Sequence, residues 1–209
     1  MGNTVGSQGG LTPRQKEILL GMILGDCCLE KNGKNVRLRV EHGLKQKNYL
    51  YWKYEEFKNL ATDKPRLVKG LVHPKTKKIY RRWHFSSYSI PELNNYWHKF
   101  YFQKKKIVPQ NIVELLTSPL SLAVWFMDDG YKRNDCNALR INTDCFTING
   151  QKLLQKCLKE NFDIETKLHK KGKFWNIYIP NPQAKKFCNV IKSHINDVAG
   201  MGYKIFLTP

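Results

Sequence analysis

No apolar run in this 209-residue chain approaches the roughly 20 residues that a membrane-spanning helix needs. The N-terminus also lacks the basic-then-apolar pattern of a secretory signal. Met1-Gly2-Asn3-Thr4-Val5-Gly6 does not carry the Ser or Thr that an N-myristoylation signal wants at position six. An intracellular, non-secreted protein with no membrane partner is therefore expected, and residues 1–10 read as a flexible Gly/Ser/Asn leader. Paired cysteine motifs are missing too. Cys27, Cys28, Cys136, Cys145, Cys157 and Cys188 include no Cys-x-x-Cys, which argues against a zinc ribbon, a redox dithiol or a disulfide framework. His42, His73, His98 and His194 show no ligand spacing and are expected to be packing or surface residues. No Ser/His/Asp or Cys/His constellation is evident. Negative charge is scarce: 17 Asp and Glu against 36 Lys and Arg leave a net charge of +19. An excess of that size predicts an anionic partner, nucleic acid before anionic membrane. The hydrophobic content of 41% is enough for a core.

Two stretches organise the chain. Leu19-Leu20-Gly21-Met22-Ile23-Leu24-Gly25-Asp26-Cys27 and Leu122-Ala123-Val124-Trp125-Phe126-Met127-Asp128-Asp129-Gly130 are each an apolar run that ends on a carboxylate, about half a chain apart. Apolar residues on every side suggest a helix buried all round. An unpaired buried charge is costly, so two such tips side by side make a place for a divalent cation.

These stretches resemble the paired signature of the LAGLIDADG homing endonucleases, in the single-chain form with two motifs; the first copy departs from the pattern at Cys27, where glycine is usual. The resemblance covers nearly all of residues 11–209. It implies a monomeric α/β (α+β) fold of two pseudo-twofold-related αββαββα halves, with antiparallel DNA-binding sheets and the two motif helices on the axis. It implies a site-specific endonuclease that cuts both strands of a long double-stranded DNA target and leaves 3′ overhangs. The host compartment would be organellar or prokaryotic. An RNA maturase and a non-catalytic DNA-binding protein are the alternatives on the same fold.

The residues fill in that outline. Thr12 and Pro13 suit an N-cap and first helical position, so a helix is predicted from about Pro13 to Asp26. Val36–Glu41 alternates apolar with charged, as a strand does. Gln46–Leu60 reads as an amphipathic helix, 66–72 and 78–86 as a hairpin, and Pro91 opens a helix to about Phe102. The order then repeats: helix over 119–129, strand over 138–146, helix over 149–161, a hairpin of 166–171 and 173–179, and a closing helix over 183–198, with one short strand allowed after each motif. The halves are placed at 11–102 and 119–209, joined by a basic linker at 103–118.

Hydrolysing a phosphodiester needs an activated water and relief of charge on the phosphate, which divalent ions supply. Asp26 and Asp129 are the hard-oxygen ligands expected for Mg²⁺, and Mn²⁺ or Ca²⁺ can occupy such sites. The resemblance adds the carbonyls of Gly25 and Asp128. The Asp128 side chain matches Gly25 of the other copy and is expected to point away as a capping carboxylate. Family pattern also assigns catalytic lysines: Lys106, in Lys106-Ile107-Val108-Pro109, and Lys204, after Tyr203. DNA contacts are expected from Arg37, Arg39 and Glu41 with Arg140, Asn142 and Asp144 on the strands. The hairpins add Lys69, Tyr80, Arg82 and His84, then Lys167, His169, Lys171 and Lys173. Arg39, Asn142 and Asp144 also fall where the family places groups near the active-site water.

Overall fold

A computed structural model describes residues 10–72 and 74–206; the first nine residues of the expected leader and His73 lie outside them. Helix α1 (Pro13–Leu24) opens with a capping box. Thr12 Oγ1 accepts the Gln15 amide at 3.1 Å, and the Gln15 side chain accepts the Thr12 amide at 3.0 Å. It ends two residues earlier than expected, because Gly25 (φ −98°, ψ −133°) turns the chain out of the helix. Strands β1 (Cys28–Asn32) and β2 (Asn35–Gly43) follow, and β2 buries Val36, Leu38 and Val40 while Arg37, Arg39 and Glu41 face outward. Helix α2 (Lys47–Glu56), strands β3 (Arg66–Val72) and β4 (Ile79–Ser86) and helix α3 (Pro91–Phe100) complete the half.

The predicted linker is packed structure. The strands β5 (Tyr101–Phe102) and β6 (Lys105–Lys106) pair, helix α4 (Ile112–Leu115) follows, and Val108, Ile112 and Leu116 are buried in the core. The second half runs α5 (Pro119–Asp129), β7 (Gly130–Lys132), β8 (Leu139–Ile141), α6 (Ile148–Phe162), β9 (Lys167–Lys171), β10 (Phe174–Ile179) and α7 (Gln183–Asn196). Strand β8 is much shorter than the expected 138–146. Beyond Ile141 the Thr143 amide and hydroxyl bond to Asn176 and to the Trp175 carbonyl, and Phe146 N closes a turn onto Thr143 O. Asn142 and Asp144 therefore lie past the strand.

Each half carries one antiparallel sheet of the same order, β1-β2-β4-β3 and β7-β8-β10-β9. The halves meet where α1 packs on α5. The approach is close at Gly21, where an added Cβ would lie 2.4 Å from Ser121 O and 2.7 Å from Val124 Cβ. Apolar side chains of both halves merge into one core cluster, centred on Ile18–Leu24 and Leu120–Met127. Burial of this kind is the main source of stability, at about 25 cal/mol per Å² of apolar surface removed from water.

Candidate active site

The two motif helices deliver their acidic ends to one place. Asp26 follows α1 with its side chain 41% exposed, and Asp129 ends α5 half-buried. Burial pushes the Asp129 carboxyl up to about 8, and the neighbouring charges of Asp26 and Asp128 add to that rise. Burial likewise raises Asp26, with Asp128 adding, while Lys53, Lys204 and Lys106 pull it back.

Lysines close over the helix ends. Lys106 Nζ donates to Gly25 O at 2.6 Å, and Lys204 Nζ donates to Met127 O at 2.5 Å and to Asp128 O at 3.2 Å. The carbonyls expected as metal ligands thus hold ammonium groups, and a lysine that follows the last helix of each half, α3 or α7, returns to that half's motif. Lys104 and Lys105 are exposed and make no such contact. Burial lowers the pKa of Lys204 against the pull of the three aspartates.

Asp128 does not stop at its carbonyl. Its carboxylate is wholly buried across the interface: Oδ2 accepts the Asp26 amide at 3.1 Å, and Oδ1 accepts Lys53 Nζ at 2.6 Å. Gly25 makes room for it, since a Cβ there would lie 2.4 Å from Asp128 Cβ. Burial would raise this carboxyl, but Lys53, His42 and the hydrogen bonds it accepts outweigh burial and hold it below the usual range. Lys53 Nζ also lies 3.0 Å from His42 Nε2 and 4.3 Å from the centre of the Tyr49 ring. His42 Nδ1 in turn faces Asp26 Oδ2 at 3.6 Å. Burial and the adjacent ammonium push His42 down to about 3, so its ring is neutral. Sequence reading set His42 aside and did not single out Lys53. The available signal was a lysine inside the apolar stripe Tyr49, Leu50, Lys53 and Tyr54 of α2, continued by Phe57 just past its end, all buried.

Asp26, Asp129 and the carbonyls of Gly25 and Asp128 make an all-oxygen donor set suited to a hard divalent cation. A carboxyl raised to about 8 by burial, with other carboxylates adding to the rise, is what such a cation would relieve. Asn142 Oδ1 fits the same reading. It is buried with no partner among the described residues, while its amide donates to Asp129 O at 3.0 Å. Cys27 does not fit: burial pushes its thiol up to about 12, so it is no thiolate ligand.

The sheets spread on either side. On the first, Arg37 and Arg39 pair with Glu30 at 2.9 and 2.7 Å, Arg39 with Glu41 at 2.8 Å, and Arg82 with Glu41 at 3.0 Å. Arg37, Arg39, Glu41 and Arg82, with Arg66 and His84, line a groove of about 570 Å³. Register puts Arg66 beside His84 and Lys69 beside Arg81, so Lys69 belongs to the strand face opposite Arg82 and His84 while still lining the groove. The pairing is regular through Lys69, and the register shift of this hairpin lies beyond it, between Lys69 and Val72. Glu30 and Arg66 were missed because nothing local marks them. Tyr80 is exposed and its hydroxyl lies 3.1 Å from Thr76 Oγ1. On the second sheet His169 stacks on Tyr178 at 4.0 Å between ring centres, with the Arg140 guanidinium 5.8 Å from the same ring. Lys167, Lys171 and Lys173 are exposed on the hairpin, and Asp144 is exposed in the loop after β8.

The sequence matches the profile of the LAGLIDADG DNA endonuclease family over residues 16–187. It is 33% identical to DNA endonuclease I-ChuI of Chlamydomonas applanata, over 93% of this chain and 95% of that protein. It is 31% identical to the cytochrome b mRNA maturase bI2 of Debaryomyces hansenii, over 90% of this chain and 72% of that protein. The fold superposes on the homing endonuclease I-WcaI bound to its DNA recognition sequence with a TM-score of 0.86 at 24% identity, covering 96% of this chain and 89% of that one.

Proposed function

The chain belongs to the LAGLIDADG DNA endonuclease family, and we propose that it is a site-specific homing endonuclease that hydrolyses both strands of a long double-stranded DNA site with Mg²⁺. We read it as a monomer of two half-site-binding units, 11–102 and 119–209, joined by 103–118. One observation carries the reading. Two half-chains of the same order bring Asp26 and Asp129 together, each flanked by a lysine, between two basic sheets.

Asp26 and Asp129, with the Gly25 and Asp128 carbonyls, would hold the metal, which when bound lowers the pKa of water and neutralises phosphate charge. Lys106 and Lys204 then face the charge that builds on the scissile phosphates. Arg37, Arg39, Arg82, Arg140, His169 and the hairpin lysines grip the flanking duplex. Arginines already held by Glu30 and Glu41 present their remaining N–H groups without further ordering.

The test is Asp26→Asn and Asp129→Asn. Each is expected to abolish double-strand cleavage of a site selected from a randomised DNA library while leaving binding within a fewfold, because an amide is a far weaker ligand for Mg²⁺. Full cleavage by either variant would remove the shared-metal reading. A second reading, RNA maturation, draws on the identity to the bI2 maturase; splicing of a cognate intron RNA only when the protein is present would favour it.

A further inference from the structure

Pseudo-symmetry predicts two equivalent halves of the active site, and the side chains break it. By strand register and helix starts, His42 corresponds to Thr143 and Lys53 to Leu154, while Asp128 corresponds to Gly25 in the paired motifs. Among the described residues, the Lys53–Asp128–His42 cluster with its buried charges is built on the Asp26 side, whereas the buried polar groups at the matching place in the other half, Thr143, Gln151 and Asn176, are neutral. We propose that Lys53 is a positioning residue that braces Asp26 from two directions, so that the two DNA strands are cut by inequivalent centres. The proposal rests on the assignment of Asp26 and Asp129 as metal ligands.

Donor and acceptor inventories give the direction of every bond. An ammonium has three N–H groups and no acceptor. At Lys53 one is given to Asp128 Oδ1, one to His42 Nε2, and the third is left for the Tyr49 ring face. Since Lys53 can only donate, His42 Nε2 must accept, and the ring proton sits on Nδ1, the nitrogen that faces Asp26 Oδ2. On the other branch the Asp128 carboxylate spends its second oxygen on the Asp26 amide, which the turn at Gly25 has taken out of the helix ladder. Backbone and side chain of Asp26 are thus both addressed from one buried ammonium. Asp129 differs: it is still within α5, Leu154 has no donor, and the Thr143 hydroxyl is given to the Trp175 carbonyl. Groups that orient a metal ligand commonly matter nearly as much as the ligand.

Lys53→Met alone strands the buried Asp128 charge and risks unfolding. The Lys53→Met/Asp128→Asn pair removes both charges and keeps an amide oxygen for Asp26 N. On a library-selected duplex labelled on each strand, single-turnover cleavage by the folded pair is expected to slow for one strand by tenfold to a hundredfold more than for the other, leaving nicked DNA with the same strand always intact. Luminescence titration with terbium(III) alone, without DNA, is expected to show about tenfold weaker binding. Equal slowing of both strands, or unchanged terbium affinity, overturns the proposal. If the native chain cuts no library duplex, the endonuclease reading fails instead. Should the pair not fold, His42→Asn, whose amide N–H replaces Nδ1–H, is expected to keep the native strand ratio while His42→Leu shifts it. The same ratio in both variants overturns the proposal.

Discussion

At the scale of single residues, Asp129 and the two active-site lysines make separable predictions. With its pKa near 8 in the metal-free fold, Asp129 keeps a proton that the unfolded chain gives up near pH 4. The folded state binds more protons in that window, so this group makes metal-free stability fall as pH rises from about 4 to 8, after which its cost is constant. Melting temperatures across pH 6–8 are expected to decline more steeply for the native chain than for Asp129→Asn, and added Mg²⁺ should stabilise the native chain increasingly over the same range. Parallel profiles for the two proteins would contradict the buried carboxyl. Lys106 and Lys204 touch the motif carbonyls whereas Lys104 and Lys105 do not. Lys106→Met and Lys204→Met should each slow cleavage of bound DNA on the order of tenfold to a thousandfold. Nicks should accumulate in opposite strands for the two variants. Lys104→Met and Lys105→Met should cut nearly normally, and equal losses across the three linker lysines would make the run a diffuse basic patch.

Elements, rather than side chains, set how far apart the motif aspartates sit. The α1–α5 contact depends on Gly21, because the atoms a Cβ would strike include backbone: Ser121 O at 2.4 Å and Trp125 N at 3.0 Å. Backbone cannot swing aside, so Gly21→Ala must separate the helices. Overpacking costs typically 1–3 kcal/mol, and this site belongs at the upper end. A fall in melting temperature of roughly 6–12 °C is expected, with Gly202→Ala, whose Cβ meets nothing within 4 Å, close to native. An unchanged melting temperature for Gly21→Ala would mean that the helices are not this close. The sheets are more tolerant, since their outer faces carry charge rather than packing. That tolerance also made Lys69 and the end of β8 hard to place from sequence. A cross-strand register and a side-chain bond to Asn176 carry no periodic signature.

The whole molecule is a strongly cationic body of +19 with its basic sheets on either side of the aspartates. Each phosphate neutralised releases counterions and contributes about −0.9 to the slope of log affinity against log salt. Binding to a selected duplex, measured at several salt concentrations, should give a slope of about −5 or steeper, equivalent to six or more phosphates. A flat plot would remove the phosphate-dominated interface and leave the groove arginines to account for binding alone.

Local chemistry by itself determined the outline. Capped apolar runs ending on Asp26 and Asp129, the alternation of Val36, Leu38 and Val40 with Arg37, Arg39 and Glu41, and a repeated order of elements are all written in short windows, where periodicity and caps operate. That was enough to place six of the seven helices and two matching sheets among the described residues, and to pick out the acidic tips; α4, in the expected linker, was not among them. Only the tertiary structure decided that Asp128 reaches across the interface, that Lys53 neutralises it, that His42 is turned toward Asp26, and that the segment 103–118 is part of the core. Those contacts join residues up to 102 positions apart, as with Asp26 and Asp128. A buried charge is stable only through the partner that meets it in space, and no spacing along the chain records that meeting.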